Sequence, residues 1–218
     1  MNKPRLLDLF CGAGGAAMGY SRAGFEVVGV DIKPQKNYPF EFHQADALEF
    51  LAQHGREYDM IHASPPCQAY SITKNLETAR ADHPVLIEPT REALKNSRKP
   101  YVIENVPGAP LINPIMLCGT MFGLGVIRHR LFEIRPFVVY LTSSCHHNGP
   151  VMPMWWKSRR IALANGKTFN YITVAGKSFL MPEAKRAMGI DWMNRDELSQ
   201  AIPPAYTEFI GKQLRWSA

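Results

Sequence analysis

Apolar positions in the first half of the chain fall into short runs separated by stretches with helical spacing. Leu6 to Phe10 is a mostly apolar run feeding Cys11-Gly12-Ala13-Gly14-Gly15, and Ala16 to Ala23 then has the composition of a helix that stops at Gly24. Phe25 to Val30 reads as a second strand ending at Asp31. Tyr58 to Ala63 reads as another, stopped by Ser64-Pro65-Pro66, and Tyr101 to Ile103 as another, running into Glu104-Asn105-Val106-Pro107. Helical patterns at 46–54 and 84–97 lie between these strands, with Pro89 expected to bend or restart the second. Strands alternating with helices predict an α/β fold, a mostly parallel sheet with helices on both faces.

The pattern changes after Arg130-Leu131-Phe132-Glu133-Ile134. Residues 136–180 contain Pro136, Pro150 and Pro153, a Cys145-His146-His147 cluster and the run Trp155-Trp156-Lys157-Ser158-Arg159-Arg160, with weak periodicity. They read as a small lobe inserted between a core at 1–135 and a C-terminal region at 181–218. In that last region Pro182 to Met188 has a helix-start composition, and Tyr206 to Leu214 a final helix. No internal repeat or low-complexity tract is evident.

Composition narrows the classes. A chain of 218 residues fits one α/β domain with a small lobe, and two full domains would be cramped. Hydrophobic residues make up 46% and charged residues 20%, ordinary for a globular protein, and no apolar run approaches the ~18 residues of a membrane span. The N-terminal apolar stretch is broken by Asp8 and too short for a signal peptide, so a cytoplasmic location is expected. Cys11, Cys67, Cys118 and Cys145 are scattered with no Cys-x-x-Cys pair, which argues against a disulfide framework and a zinc knuckle. The formal charge of +6 suits a polyanion such as nucleic acid, although charge alone discriminates weakly.

The segment Gly12-Ala13-Gly14-Gly15-Ala16-Ala17 after a strand fits a nucleotide-binding turn of the form Gly-x-Gly-x-x-Ala, in which missing side chains let the backbone approach a ligand at a helix N-terminus. Asp31 ends the next strand, where such folds place a carboxylate on ribose hydroxyls. Asp46 is open to two readings, an acceptor for an adenine amino group or a helix N-cap before Leu48 and Phe50. In Ser64-Pro65-Pro66-Cys67-Gln68 a strand ending in two prolines holds a thiol on a stiff turn at the carboxyl edge of the sheet. Glu104-Asn105-Val106, also at a strand end, brings a carboxyl group to the same edge. Taken singly, Cys67 reads as a buried small hydrophobe and Glu104 as a cap or ion-pair residue. Together they supply the two groups needed to add a thiolate to a cytosine ring and relieve the charge developing at ring nitrogen N3.

These motifs carry a resemblance. Asp8-Leu9-Phe10-Cys11-Gly12-Ala13-Gly14-Gly15 resembles the cofactor loop of the DNA cytosine-5 methyltransferase family, Pro66-Cys67-Gln68 its nucleophile motif, and Glu104-Asn105-Val106 its N3-binding motif. Arg128-His129-Arg130-Leu131-Phe132 resembles its paired-arginine motif, and all four stand in the family's order. The match covers about residues 5–135, and Gln200-Ala201-Ile202-Pro203-Pro204 resembles the closing motif that completes the cofactor pocket. The resemblance implies a Rossmann-like fold, S-adenosylmethionine as cofactor and double-stranded DNA as partner. It also implies a bacterial or phage-infected cell and a monomer, with an accessory recognition partner left open.

By that resemblance Cys67 is the nucleophile, Glu104 with its neighbour Asn105 serves N3, and Arg128 or Arg130 binds the cytosine carbonyl oxygen and helps depress the thiol pKa. Phe10 stacks on adenine, Ile32 packs on it, and Asp46 beside Ala47 reads its amino group. Cys11, Gly12, Ala13, Gly14 and Gly15 line the cofactor, Asp31 holds the ribose, Pro66 contacts the cofactor near the flipped base, and Gln200 and Ile202 close the pocket. Three departures stand out. Val126 replaces the usual glutamine two residues before the first arginine, and Gln200 replaces the usual asparagine of the closing motif. The lobe of ~45 residues is far shorter than the family's target-recognition domain.

A base inside a duplex must be extruded before its carbon 6 is reachable, so a loop following the nucleophile is expected to close over it. Residues 69–83, with Ser71, Lys74 and Arg80, suit that loop, or a solvated connection, and Gln68 beside the nucleophile is expected to contact nucleic acid with them. Trp155, Trp156, Lys157, Arg159 and Arg160 combine stacking surfaces with phosphate-binding charge and are the expected DNA contacts of the lobe, unless they are core tryptophans beside a basic edge. No metal is expected: neighbouring residues in Cys145-His146-His147 point in different directions and a fourth ligand is missing. The rival readings are the same chemistry on transfer RNA, a catalytically idle nucleic-acid-binding relative and, more distantly, a dinucleotide-dependent oxidoreductase.

Overall fold

The structure, a computed structural model, describes residues 3–67, 85–136, 144–153, 163 and 165–215. Its centre is a seven-stranded sheet: β1 Arg5–Leu9, β2 Glu26–Asp31, β3 Glu41–Gln44, β4 Met60–Ala63, β5 Tyr101–Asn105, β6 Ile115–Leu117 and β7 Arg130–Arg135. The spatial order is β3-β2-β1-β4-β5-β7-β6. Pairing is parallel from β3 to β5, and β7 runs antiparallel between β5 and β6.

The period of two along each strand sorts the core into two layers. Leu6, Val27, Met60 and Val102 face helices α1 (Gly15–Arg22) and α6 (Pro204–Arg215), against Ala16, Ala17, Tyr20, Tyr206 and Ile210. Leu7, Leu9, Val28, Val30, Ile61 and Ile103 face α2 (Ala47–His54) and α3 (Ile87–Ser97), against Leu51 and Leu94. A third cluster joins Val126 and Val174 to α4 (Met181–Met188) and α5 (Arg195–Gln200) through Phe179, Ala184, Met188 and Leu198. No helix among the described residues is long and apolar enough to cross a membrane.

Helices α1 and α6 meet at Gly19, where an added Cβ would stand 2.0 Å from Thr207 Oγ1 and 2.1 Å from the Pro204 carbonyl oxygen. Thr207 Oγ1 meanwhile donates to the Ala16 carbonyl at 2.8 Å, so the approach is fixed by a hydrogen bond as well as by shape. Gly19→Ala is expected to lower stability by roughly 1–3 kcal/mol, seen as a lower urea midpoint. An unchanged midpoint would show that α6 sits elsewhere in solution.

Several elements differ from the sequence expectation. Pro89 neither bends nor restarts α3: it is the third residue, in the first turn, where its missing N–H costs no intrahelical bond. Short edge strands β3 and β6, and helix α5, carry too little periodicity to stand out. Arg91 and Glu133, which no sequence pattern pairs, form a buried ion pair with Nη2 2.9 Å from Oε2. The pair is sustained by the Pro110 carbonyl, which accepts from Arg91 at 2.8 Å, and the Ile112 N–H, which donates to Glu133 at 2.8 Å.

Candidate active site

In an open sheet with this order the ligand crevice lies beyond the carboxyl ends of the central strands, at the β1/β4 switch point. Four of the expected motifs end there. The chain after β1 carries Phe10 to Gly15, β2 ends at Asp31, β4 runs into Ser64-Pro65-Pro66-Cys67, and β5 ends with Glu104 and Asn105. Because β7 is antiparallel to β5, with Glu104 opposite Phe132 and Asn105 opposite Leu131, its first residue, Arg130, reaches this same edge.

The thiol and the carboxyl group are held by neighbouring strands, β4 and β5. Asn105 Nδ2 donates to the Pro65 carbonyl at 2.9 Å, and its Oδ1 accepts from the Val106 N–H at 3.0 Å. Asn105 therefore staples the proline turn that carries Cys67 to β5. Glu104 is 6% exposed, and Arg130 Nε lies 3.0 Å from its Oε1. That contact is an ion pair without hydrogen-bond alignment, since Oε1 has no hydrogen-bond partner among the described residues. Burial raises the Glu104 carboxyl above its usual range, outweighing Arg130, a Ser64 hydrogen bond and Arg128, which act to lower it.

Burial also raises the Cys67 thiol, and the Glu104 charge adds to the rise; Arg130 and Arg128 pull it down by less. Both arginines thus lower the thiol as expected, though burial outweighs them. A neutral Glu104 would remove one of the influences that raise the thiol.

The two arginines have separate duties. Arg128 is buried, with Nη1 donating to the Val174 carbonyl and Nη2 to the Ser199 carbonyl at 2.9 Å. Its own carbonyl accepts from Tyr206 Oη at 2.6 Å. It ties the lobe and α5 to the core through backbone carbonyls, while Arg130 is the arginine paired with the Glu104 carboxyl. We expect Arg128→Ala to lose roughly 2–4 kcal/mol of stability, the cost of orphaned carbonyls and lost charge-assisted bonds, whereas Arg130→Ala melts near the parent temperature. Equal melting of both variants would contradict this division.

At the cofactor edge, Phe10, Gly12 and Gly14 have φ of 55°, 49° and 83°, turning the backbone sharply before α1. Gly12 donates its N–H to Asp31 Oδ2 at 3.1 Å, and an added Cβ there would meet nothing within 4 Å, so open space lies over this turn. Gly15 is different. Its Cβ would stand 2.5 Å from the Ile202 carbonyl oxygen, so this glycine admits the returning closing segment. Asp31 Oδ1 accepts from the Lys33 N–H at 3.0 Å, and Ile32 beside it is 64% exposed, an apolar side chain left for a ligand to cover. Asp46 caps α2, its Oδ1 accepting from the Leu48 and Glu49 N–H groups at 2.9 and 3.0 Å, so the capping alternative is realised. Its exposed carboxylate still faces outward beside buried Ala47. An open glycine turn, an uncovered Ile32 and two carboxylates fit S-adenosylmethionine, with half-buried Pro66 and the buried Cys11 and Ala13 around them. Gln200 is exposed, while Ile202 is buried against Gly15.

Residues missed by sequence reasoning support these groups. His62 accepts or donates at Tyr20 Oη (3.0 Å) and Ser64 Oγ (2.9 Å), linking α1 through Ser64 to Glu104. Burial lowers the His62 pKa to about 3, so the ring is a neutral spacer. Trp192 Nε1 donates to the Ala13 carbonyl at 2.9 Å and holds the glycine turn from the C-terminal side. Only the alternation in β4, which turns His62 inward, hints at this. Val126 lies buried beside Val174, so the place of the usual glutamine is filled by packing. The proposed DNA contacts Gln68, Ser71, Lys74, Arg80, Trp155, Trp156, Lys157, Arg159 and Arg160 lie outside the described residues. The objection to a metal does not survive, because Cys118 and His129 join Cys145 and His147, all four ligand atoms within 4.8 Å of one another.

The family described as C-5 cytosine-specific DNA methylase matches residues 4–111. The Type II methyltransferase M.FnuDI of Fusobacterium nucleatum is 31% identical over 112 residues, 48% of this chain and 33% of that protein. The chain spans about a third of the length of the curated relatives it matches. Among solved structures, a candidate DNA modification methyltransferase encoded within an E. coli prophage has a TM-score of 0.66 at 16% identity, covering 98% of this chain and 99% of that one. The S. pombe Dnmt2 methyltransferase has 0.64 at 13% identity, covering 99% of both. The chain shares the Rossmann-like fold of these methyltransferases.

Proposed function

Because the chain belongs to the C-5 cytosine-specific DNA methylase family, we propose that it transfers a methyl group from S-adenosylmethionine to carbon 5 of cytosine in double-stranded DNA. The observation that carries the reading is that Cys67, in the turn after β4, feels the charge of Glu104 at the end of neighbouring β5, with Glu104 Oε1 buried and lacking a hydrogen-bond partner among the described residues. That carboxyl suits a ring nitrogen as its missing partner.

S-adenosylmethionine supplies an electrophilic methyl group. The chain's part is to make carbon 5 nucleophilic. A flipped-out cytosine meets the Cys67 thiolate, which forms a bond to carbon 6, while Glu104 gives its proton to N3 so that the ring becomes enamine-like. Arg130 places a cation beside both groups and stabilises charge passing between them. After methylation the carbon 5 proton leaves to water, the N3 proton returns to Glu104 and the thiolate is expelled, restoring both groups. Asp31 and Asp46 orient the cofactor's hydroxyls and amino group, and Ile32 covers its adenine. The lobe at 136–180 would read a short target sequence, with its Trp and Arg residues on the DNA.

The test is transfer of labelled methyl to unmethylated duplex DNA, followed by nucleoside mass spectrometry, with unmodified transfer RNA run in parallel. Labelled 5-methylcytosine in DNA supports the reading. Label in transfer RNA alone would replace DNA as substrate, and no label on either, with cofactor binding retained, would point to a nucleic-acid-binding protein.

A further inference from the structure

We propose that Cys118, His129, Cys145 and His147 bind a structural zinc ion that clamps the small lobe to the edge of the catalytic sheet. The four come from two places in the sequence. Leu117 of β6 pairs with Arg130 of β7. Cys118 and His129 therefore continue that antiparallel ladder by one step, and directly opposed residues present their side chains on one face. Cys145 and His147 are two residues apart, the spacing that puts side chains on one side of an extended chain. The intervening His146 is turned elsewhere, its Nε2 3.0 Å from Ser144 Oγ.

The distances suit a tetrahedral ion. With zinc–sulfur and zinc–nitrogen bonds of about 2.3 and 2.05 Å, tetrahedral sulfur and nitrogen ligands stand about 3.6 Å apart. Cys118 Sγ is 3.4 Å from His147 Nε2, and Cys145 Sγ is 3.5 Å from His129 Nε2. Cys145 Sγ to His147 Nε2 is 2.8 Å, a gap that opens as His147, the exposed member, moves outward onto the metal. Thr120 Oγ1 lies 3.6 Å from Cys118 Sγ and 3.5 Å from Cys145 Sγ, a hydroxyl that both thiolates share, as outer-shell donors do. Two sulfurs and two imidazoles select zinc among common metals, and four protein ligands leave no open position for catalysis.

Its use follows from location. His129 separates Arg128 from Arg130, so an ion bound here fixes the strand entrance that delivers Arg130 to Glu104. The segment 144–153 has little buried apolar surface, its described residues being exposed or half-buried, and a metal supplies the anchoring that a hydrophobic core would otherwise give.

The experiment is elemental analysis of the purified full chain, with cobalt then exchanged into chelator-stripped protein. About one zinc per chain is expected, together with the thiolate charge-transfer and intense d–d absorption of tetrahedral cobalt. Cys118→Ser and His147→Ala should weaken zinc, measured against a chromophoric chelator, by more than about a hundredfold, while His146→Ala and Cys67→Ala retain it. Less than a tenth of an equivalent of zinc, with no tetrahedral cobalt spectrum on the unmodified chain, overturns the proposal whether or not the variants fold. A Cys118–Cys145 disulfide in the freshly purified protein overturns it as well. These readouts are independent of methyl transfer.

Discussion

Cys67→Ala is expected to reduce methyl transfer by roughly ten-thousand-fold or more while leaving S-adenosylmethionine affinity within about twofold. The loss is large because carbon 5 of cytosine has almost no nucleophilicity until a bond forms at carbon 6, and binding energy elsewhere does not substitute for that bond. Affinity is spared because the cofactor cradle is built after β1 and β2, on the other side of the switch point from the half-buried thiol. Single-turnover transfer and calorimetric titration of the cofactor measure the two quantities. A duplex carrying 5-fluorocytosine adds a direct view: fluorine does not leave as a cation, so the parent chain should remain covalently attached and the variant should not. Turnover within tenfold of the parent would remove Cys67 from the mechanism.

Glu104→Gln has the second largest expected effect, a fall in transfer of about 10²- to 10⁴-fold, the range for loss of a positioned general acid. The same substitution should make Cys67 easier to ionise. Burial raises that thiol first and the Glu104 charge second, and glutamine removes the second contribution while leaving the Arg130 cation unneutralised. Alkylation of Cys67, followed by peptide mass spectrometry against pH, should therefore show its midpoint moved down even as turnover collapses. A midpoint unmoved or moved up would mean the two groups do not interact.

The stability of the protein carries the same signature. Glu104 has a folded-state pKa raised above the ordinary carboxyl value of about 4.3. Its contribution is fully present below about pH 4.3 and is lost as pH rises through the raised value. Glu104→Gln does not titrate, so its stability relative to the parent should improve across that rise.

Much of the site was legible because its chemistry is concentrated in contiguous runs. Pro65-Pro66-Cys67 stiffens its own turn, Gly12 and Gly14 occupy positive φ, and Asp31 ends a strand, so local residue type and strand periodicity place these groups at one edge. Arg128 and Arg130 were not separable in this way. Two residues apart and chemically identical, they differ only in what surrounds them, and Arg128 proved committed to the Val174 and Ser199 carbonyls. Asn105 was grouped with Glu104 by adjacency, yet successive strand residues point to opposite faces and it reaches the Pro65 carbonyl instead.

The sequence by itself determined the class of fold, the order of the motifs and which residues are candidates for the reacting groups, since period-two apolar runs, glycine turns and a proline-bound thiol are local properties. Tertiary structure alone decided the direction of β7, which carries Arg130 to Glu104, and the burial that raises both Cys67 and Glu104. It alone brought Cys118 and His129 to Cys145 and His147. Each of these depends on contacts between residues distant along the chain, where strand direction, desolvation and ligand convergence are set by what packs nearby and no local pattern encodes them.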